Sequence, residues 1–296
     1  MIHGNPALSL VVSTKGRALQ LSRLLKSLQE QAVPPFELIV VEQNEVAIVP
    51  ALLPADCDFP IRHIHTPDES GASRGRNRGL EVASGDFVIF PDDDCWYPPR
   101  FIEHATRKIA ELRLDALTGR CTDESGRTMN GRFLEQAQWI CRDNVWTTQV
   151  EWIAAWRRSL LVELGGYDEN VGIGAATPWQ SAEGQELMLR VLATGARAWY
   201  DPDWNGHDRE HDRGNASADL ISRARAYGRG MGFVLRTHRC GRRLAAQFLV
   251  RSAGGALISA AMGQGRRAQF FAATALGRME GLLGRCVPIG LWLPKS

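Results

Sequence analysis

Short apolar runs alternate with helically spaced leucines over the first 90 positions. LSLVVS (8–13) is rich in Val and Leu and runs into the polar TKGR, which predicts a buried strand ending in a loop. Leu21, Leu24, Leu25 and Leu28 then recur at helical spacing and define one apolar face. FELIVVEQN (36–44) repeats the strand-to-loop pattern. RGRNRGLEVA (74–83) predicts a helix reached through the Gly71-Ala72-Ser73 turn, and GDFVIF (85–90) a further strand. Buried strands alternating with helices define the α/β class, with a mostly parallel sheet covered by helices on both faces.

Beyond that frame the pattern weakens. Residues 115–160 carry Trp139, Trp146, Trp152 and Trp156 but no clear period, so irregular strands and helices are expected there. SAEGQELMLRVLATG (181–195) predicts a helix with Leu187, Val191 and Leu192 on one face and Gly195 as terminator. From about residue 216 the chain reads as helical, basic and Ala-rich. The expected division is a main domain over 1–215 and a basic helical C-terminal extension over 216–296.

Composition changes this picture mainly in the tail. The chain has 296 residues, 44% hydrophobic and 23% charged, which is ordinary for a globular protein. Its net charge of +2 conceals an asymmetry. Residues 220–296 hold 13 Lys and Arg against one acid, Glu280, whereas the first 219 hold 22 basic and 32 acidic residues. An acidic front and a basic tail imply different partners. Two apolar stretches in the tail, AGGALISAAM (253–262) and VPIGLWLP (287–294), fall short of the ~20 residues of a spanning helix. Two readings stay open: the tail helices pack and turn their arginines to water, or they lie on an anionic membrane surface. The tail lacks the aromatic–basic interleaving of a nucleic-acid binder, so no nucleic-acid partner is expected. The six cysteines form no CxxC pair, as expected of free thiols in a reducing compartment. No charged leader or cleavage site marks the N-terminus. A cytoplasmic location is expected, with the inner face of the cytoplasmic membrane as the surface for the tail.

The chemistry gathers at the strand ends, where ligands sit in open parallel sheets. Those ends carry Ser13-Thr14-Lys15-Gly16-Arg17, Glu42-Gln43-Asn44 and Asp92-Asp93-Asp94. In FVIFPDDDCWYPP (87–99) an apolar strand delivers three adjacent carboxylates to that edge. Such acids repel, by about 1 kcal/mol per pair in water at 4 Å and several-fold more near a protein surface. A hard divalent cation, Mg²⁺ or Mn²⁺, takes oxygen ligands, relieves the repulsion and lets a phosphate complete its shell. A solvated turn or a general acid/base pair are the other readings of clustered acids. Just upstream, GASRGRNRG places Arg74, Arg76 and Arg78 at a helix start, where guanidinium forks and backbone N–H groups suit phosphate. An arginine run facing solvent is the plainer reading of the same stretch.

In order, LVVSTKGR, LIVVEQN, GASRGRNRGL, SGDFVIFPDDDCWYPP, LGGYDENVG and AEGQELMLRVLATGAR resemble the family 2 glycosyltransferases over roughly residues 8–212. The resemblance implies the GT-A fold. It also implies transfer of a sugar from a nucleoside-diphosphate donor to an acceptor hydroxyl, with inversion and a divalent cation on the diphosphate. The acceptor would be a carbohydrate or a lipid-linked one, in cell-surface polysaccharide or glycolipid assembly.

Carried onto this sequence, the resemblance implies that Thr14, Arg17 and Glu42 line the nucleoside pocket and that Arg76 reaches the base or diphosphate. Asp92 would face the ribose or sugar and, with Asp94, the metal; Asp93 lies between them among the donor contacts. Gly165-Gly166-Tyr167-Asp168 resembles the family's GGFD turn near sugar and acceptor. The family's Glu-Asp-any-Asp-Leu stretch, whose Asp is the base, reads here Glu183-Gly184-Gln185-Glu186-Leu187, so the usual base position is Gly184. Glu183 is the expected base and Glu186 the runner-up; an exposed acidic helix face is the plainer reading. A histidine completing the metal shell would be His207, with His211 as the alternative. Trp96 and Trp179 offer rings to stack on a sugar or to pack in the core. Ser13 stands where the family favours Pro. Two other classes remain: a nucleotidyltransferase, whose Gly-rich loop with a Lys is poorly matched by Lys15 and one Gly, and a non-catalytic binding module that has lost its base at Gly184.

Overall fold

Strand β1, Leu8–Thr14, is buried almost throughout, because both sheet faces are covered. The computed structural model describes residues 8–31, 35–54, 56–209 and 215–287. The chain continues through α1 (Ala18–Gln29), β2 (Phe36–Glu42), β3 (Ile61–His65), α2 (Ala72–Val82), β4 (Phe87–Ile89) and α3 (Phe101–Leu112). It then forms β5 (Ala116–Thr122), β6 (Gln138–Trp139), α4 (Val145–Thr148), β7 (Ala154–Arg157), α5 (Arg158–Glu163), α6 (Glu183–Ala193) and β8 (Ala198–His207). Three long helices follow: α7 (Ala218–Thr237), α8 (Arg242–Ala261) and α9 (Gly265–Leu283). Contacts divide the chain into two compact units, one from Met1–Glu169 with Glu183–His211, the other from Asn170–Ala182 with Asp212–Ser296.

In the first unit the strands form one eight-stranded sheet, ordered β3-β2-β1-β4-β7-β5-β8-β6. Strands β3, β2, β1 and β4 pair in parallel. β7 inserts antiparallel between β4 and β5, β5 pairs in parallel with β8, and β6 closes the edge antiparallel to β8. The α/β class and the mostly parallel sheet are therefore as the sequence pattern predicts. The irregular middle resolves into β5, the short edge strand β6 and the inserted β7. Leu21, Leu24, Leu25 and Leu28 of α1 all face the core. Each contributes roughly 1.5–3 kcal/mol of burial.

Register places the site. Thr14 lies opposite Glu42 at the ends of β1 and β2, and Ser13 bridges to Asp92 just past β4. Helix α2 lies unusually close to β1: a Cβ on Gly79 would overlap Val11, and one on Gly75 would overlap Ser13 Oγ. Only glycine permits that approach, and it sets Arg76 between the two contact points.

In the second unit α7 and α9 also meet through glycines. A Cβ on Gly228 would stand 2.6 Å from the Thr274 carbonyl oxygen, and Gly232, Gly277 and Gly281 face the opposite backbone in the same way. Glu280 is fully buried between these helices and accepts from Arg225 and Arg229, each at 2.6 Å, and from the Val287 N–H at 2.7 Å. Burial works against its charge, but these donors hold its pKa at about 2. Helix α8 leaves Val250, Leu257 and Ile258 exposed. The tail pattern needs one correction here. Its 253–262 stretch is the end of a 20-residue helix whose best window has mean hydropathy 1.3, long and apolar enough by length and composition to cross a membrane. The flanking residues of α8 are apolar enough to extend the run. Of the 287–294 stretch, only Val287 lies among the described residues.

Candidate active site

The three aspartates at the end of β4 are held in two directions. Asp93 is buried and points toward β1, accepting from the Thr14 hydroxyl at 2.7 Å and from Arg17 at 2.9 Å. Arg17 also pairs with Asp94. Asp92 points toward α2 and pairs with Arg76 at 2.8 Å. Arg76, only 3% exposed, forks and donates to Glu183 as well, at 3.2 Å. Thr14, Arg17, Arg76, Asp92, Asp93, Asp94 and Glu183 thus form one chain of polar contacts. Arg74 and Arg78 do not join it: they pair with Glu169 and Glu69 on the exposed side of α2, each at 2.9 Å.

Charge is unbalanced in this cluster. Among the described residues, Asp92, Asp93, Asp94, Glu183 and the nearby Glu151 face two arginines, Arg17 and Arg76. Burial pushes the Asp92 carboxyl up to about 7, with Asp94, Glu183 and Asp93 adding to the rise and Arg76 opposing it. Burial also raises Asp93, against Arg17 and Thr14. For Arg76, burial works against the charge, but Glu151, Asp92 and Glu183 outweigh it and hold the guanidinium above its ordinary value.

Glu151 emerges only from the structure. Burial pushes its carboxyl up to about 7, with Glu183 adding and Arg76 opposing. The Tyr167 hydroxyl donates to its Oε1. Tyr167 is set by the Gly165-Gly166 turn, where both glycines have positive φ, 76° and 71°. Asn77 of α2 docks that turn by accepting from the Tyr167 N–H at 2.8 Å and donating to its carbonyl at 3.0 Å. Gly165 and Gly166 therefore shape the site through Tyr167. No periodicity surrounds Glu151 in the sequence. The one signal was a glycine, Gly184, inside a helical pattern.

Other expected positions sit differently. Glu42 is fully buried and accepts from the Ile48 N–H at 2.6 Å, Asn44 at 2.7 Å and His63 at 2.8 Å, so its carboxylate is engaged in fixing the loop after β2. Burial opposes its charge, but those donors hold its pKa below the usual value. Glu186 pairs with Arg190 at 2.7 Å, and Arg190 also donates to the Leu164 and Gly166 carbonyls. It thus braces the glycine turn from α6. Trp96 lies under the Arg23 guanidinium, and Trp179, in the second unit, stacks on Phe233 at 4.8 Å. A hollow of about 330 Å³ lined by Pro98, Arg100, His104, Arg107 and Asp203 shares none of the site residues.

The donor set suits a hard divalent cation. Asp92 and Asp94 present carboxylate oxygens where negative charge is in excess, the setting that raises Asp92. His207 is buried at the end of β8, and its backbone pairs with Trp96, two residues past Asp94. Its Nδ1 lies 3.2 Å from the Thr122 carbonyl, which can only accept. The Thr122 hydroxyl lies 3.3 Å from the same nitrogen, so Nδ1 is engaged by Thr122 and Nε2 is the ring nitrogen left for a metal. Among the described residues no three His, Cys, Asp or Glu side chains converge into a complete metal site, so oxygens of a ligand would have to finish the shell. His211 lies outside the described residues.

The sequence model of Glycosyl transferase family 2 matches residues 9–164, just over half of the chain, from the second residue of β1 through α5. The chain belongs to this family. Among its relatives, the uncharacterized glycosyltransferase YwdF of Bacillus subtilis is 36% identical over 104 residues, 34% of this chain and 38% of YwdF. The GalNAc(5)-diNAcBac-PP-undecaprenol beta-1,3-glucosyltransferase of Campylobacter jejuni is 35% identical over 92 residues, 30% of each chain. The chain thus matches about a third of the length of these curated relatives. The mannosyltransferase PcManGT from Pyrobaculum calidifontis, solved with GDP-Man and Mn²⁺, is similar in structure at a TM-score of 0.62 and 19% identity, over 95% of this chain and 88% of that one. That likeness shows the fold, which is the GT-A fold implied by the family 2 motifs.

Proposed function

We propose that this family 2 chain is an inverting glycosyltransferase that moves a sugar from a nucleoside-diphosphate donor to an acceptor hydroxyl. The observation that carries the reading is the aspartate triplet, delivered by a buried strand to the carboxyl edge of the sheet and clasped from both sides by Arg17 and Arg76. Acids in excess of arginines suit a donor bound with a divalent cation. Asp92, Asp94 and His207 would hold Mg²⁺ or Mn²⁺ only by drawing together from their present positions as the ion and the diphosphate oxygens enter. When bound, the cation offsets the charge that develops on the departing diphosphate. Arg17 and Arg76 orient the diphosphate through their forks, and Thr14 fixes the Asp93 turn beneath it. A carboxylate in the cluster takes the acceptor proton.

The acceptor we propose is a lipid-linked or surface glycan. Two features support it: the family's link to a named undecaprenol-linked enzyme, and helix α8, whose exposed Val250, Leu257 and Ile258 accompany the arginines of the tail and suit contact with an anionic membrane.

A thermal-shift screen of UDP-, GDP- and dTDP-sugars with and without Mn²⁺ tests the reading. At least one donor should raise the Tm in a metal-dependent manner and be turned over, and Asp94→Ala should abolish both effects. No shift with any donor, with or without metal, overturns it.

A further inference from the structure

A buried and a half-buried side chain converge on Gly184, the second residue of α6. Gln149 is 3% exposed, and neither its amide nitrogen nor its amide oxygen has a hydrogen-bond partner among the described residues. Glu151 uses Oε1 for the Tyr167 hydroxyl, while its buried Oε2 has no partner. A Cβ on Gly184 would overlap Glu151 Oε2 and stand 2.9 Å from Gln149 Nε2. These polar atoms therefore crowd the same side of Gly184, which is itself buried, and a side chain there would displace the Glu151 carboxylate. Burying such groups unpaired costs about 1–3 kcal/mol each. A hydroxyl is donor and acceptor at once. Brought between them at hydrogen-bond distance, it would donate to Glu151 Oε2 and accept from Gln149 Nε2.

The other acids of the cluster are committed elsewhere. Asp92 and Glu183 share the Arg76 fork, at 2.8 and 3.2 Å, and Glu186 pairs with Arg190. An acceptor hydroxyl reaching any of these carboxylates would have to compete with a guanidinium for its oxygens. Glu151 takes no hydrogen bond from an arginine among the described residues.

Resting on the glycosyl-transfer reading above, we propose that Glu151 is the general base for the acceptor hydroxyl, that Gln149 holds that hydroxyl, and that Gly184 leaves the room in which the Glu151 carboxylate sits. The acceptor oxygen bonds to the anomeric carbon as the bond from that carbon to the diphosphate oxygen breaks. The electron pair of the broken bond leaves with the diphosphate, and the hydroxyl proton passes to Glu151 Oε2. Tyr167 is a positioning residue: its bond to Oε1 turns Oε2 toward Gly184. The groups facing Glu151 are Arg76 from α2, Asp92 after β4, Tyr167 from the glycine turn and Glu183 from α6. Their balance leaves the carboxyl near 7, close to the working pH a general base favours.

The test uses the full chain with each of the UDP-, GDP- and dTDP-sugars and Mn²⁺, reading nucleoside-diphosphate release to water and to a panel of octyl glycosides. Glu151→Gln should lower kcat by about 10²–10⁴-fold and leave the donor Kd within twofold. Wild-type kcat/KM should fall below about pH 7, and that limb should be absent in Glu151→Gln. Tyr167→Phe, which removes a hydrogen bond to the charged carboxylate, should move the limb to higher pH. Gly184→Ala, which displaces Oε2, should lower kcat by roughly 10²-fold, and it carries the test should Glu151→Gln fail to fold. No wild-type turnover with any donor would sink the glycosyl-transfer reading itself. Wild-type turnover with Glu151→Gln or Gly184→Ala within threefold, or an acid limb removed by Glu183→Gln and kept by Glu151→Gln, overturns the assignment of Glu151 alone.

Discussion

Replacing Arg76 by methionine keeps the length of the side chain and removes its charge from the middle of the acid cluster. Arg76 is 3% exposed and hydrogen-bonds Asp92 and Glu183, with Glu151 the strongest of its charge partners. Each attraction is worth about 4 kcal/mol at 4 Å with an effective dielectric of 20. Burying the guanidinium costs much of that, and removing one member of a buried pair destabilises by about 3–5 kcal/mol. At about 2–4 °C per kcal/mol the Tm should fall by roughly 6–20 °C at pH 8. The sign with pH follows from the neighbours. Without the cation, the folded-state pKa of Asp92 and Glu151, already about 7, rises further above the unfolded values near 4. A raised folded-state pKa supports folding fully below the unfolded value, and that support is lost as pH rises through the folded one. The gap between Arg76→Met and wild type should therefore widen from pH 5 to pH 8. Urea denaturation at both values measures it. A loss below 1 kcal/mol, or an equal loss at the two pH values, would refute the claim that Arg76 is the counter-charge of the cluster.

Two further predictions concern acids held below their ordinary values. Glu42→Gln should cost about 1.5–3 kcal/mol at pH 7, because one acceptor oxygen becomes a donor facing the Ile48 N–H, Asn44 or His63. Its depressed folded-state pKa makes that contribution present above pH 4.5 and lost as pH falls, so urea curves of variant and wild type should draw together at pH 3. Glu280→Gln should leave Arg225 and Arg229 without their buried counter-charge at about 3–5 kcal/mol. Thermal melts followed by circular dichroism should converge with wild type only as pH approaches 2, the folded-state value of Glu280.

How much of this was legible depended on whether a feature was local. The apolar runs at 8–13 and 36–44 became β1 and β2, and the 74–83 and 181–195 patterns became α2 and α6. Both faces of β1 and β2 are covered, so continuous Val, Leu and Ile runs were expected and found. β3 was not read because IRHIH is only partly buried and alternates with polar residues. β5 was obscured by Thr118, Gly119 and Arg120 inside ALTGRCT. Gly119 is needed because a Cβ there would overlap the Trp204 carbonyl oxygen on β8. β7 could not be read from its own residues, since its place between β4 and β5 comes from pairing with both. The aspartates were legible because an apolar strand ends on them. The split of the arginine run, Arg76 inward and Arg74 and Arg78 outward, needed the helix seated on β1.

The glycines within helices explain why the site was half visible. In a helix interior glycine is about 1 kcal/mol worse than alanine, so a helix that keeps one has a tertiary reason. Gly75 and Gly79 let α2 touch β1 and carry Arg76 to the acids. Gly184 leaves room for the carboxylate of Glu151. In both cases the residue that does the chemistry lies elsewhere in the chain from the residue that makes room for it. A sequence pattern records the room, as a helix carrying a poor helix former. Only the fold says which side chain fills it: Arg76 was named in advance through the family resemblance of its motif, whereas Glu151, 33 positions from Gly184, lies in no such motif.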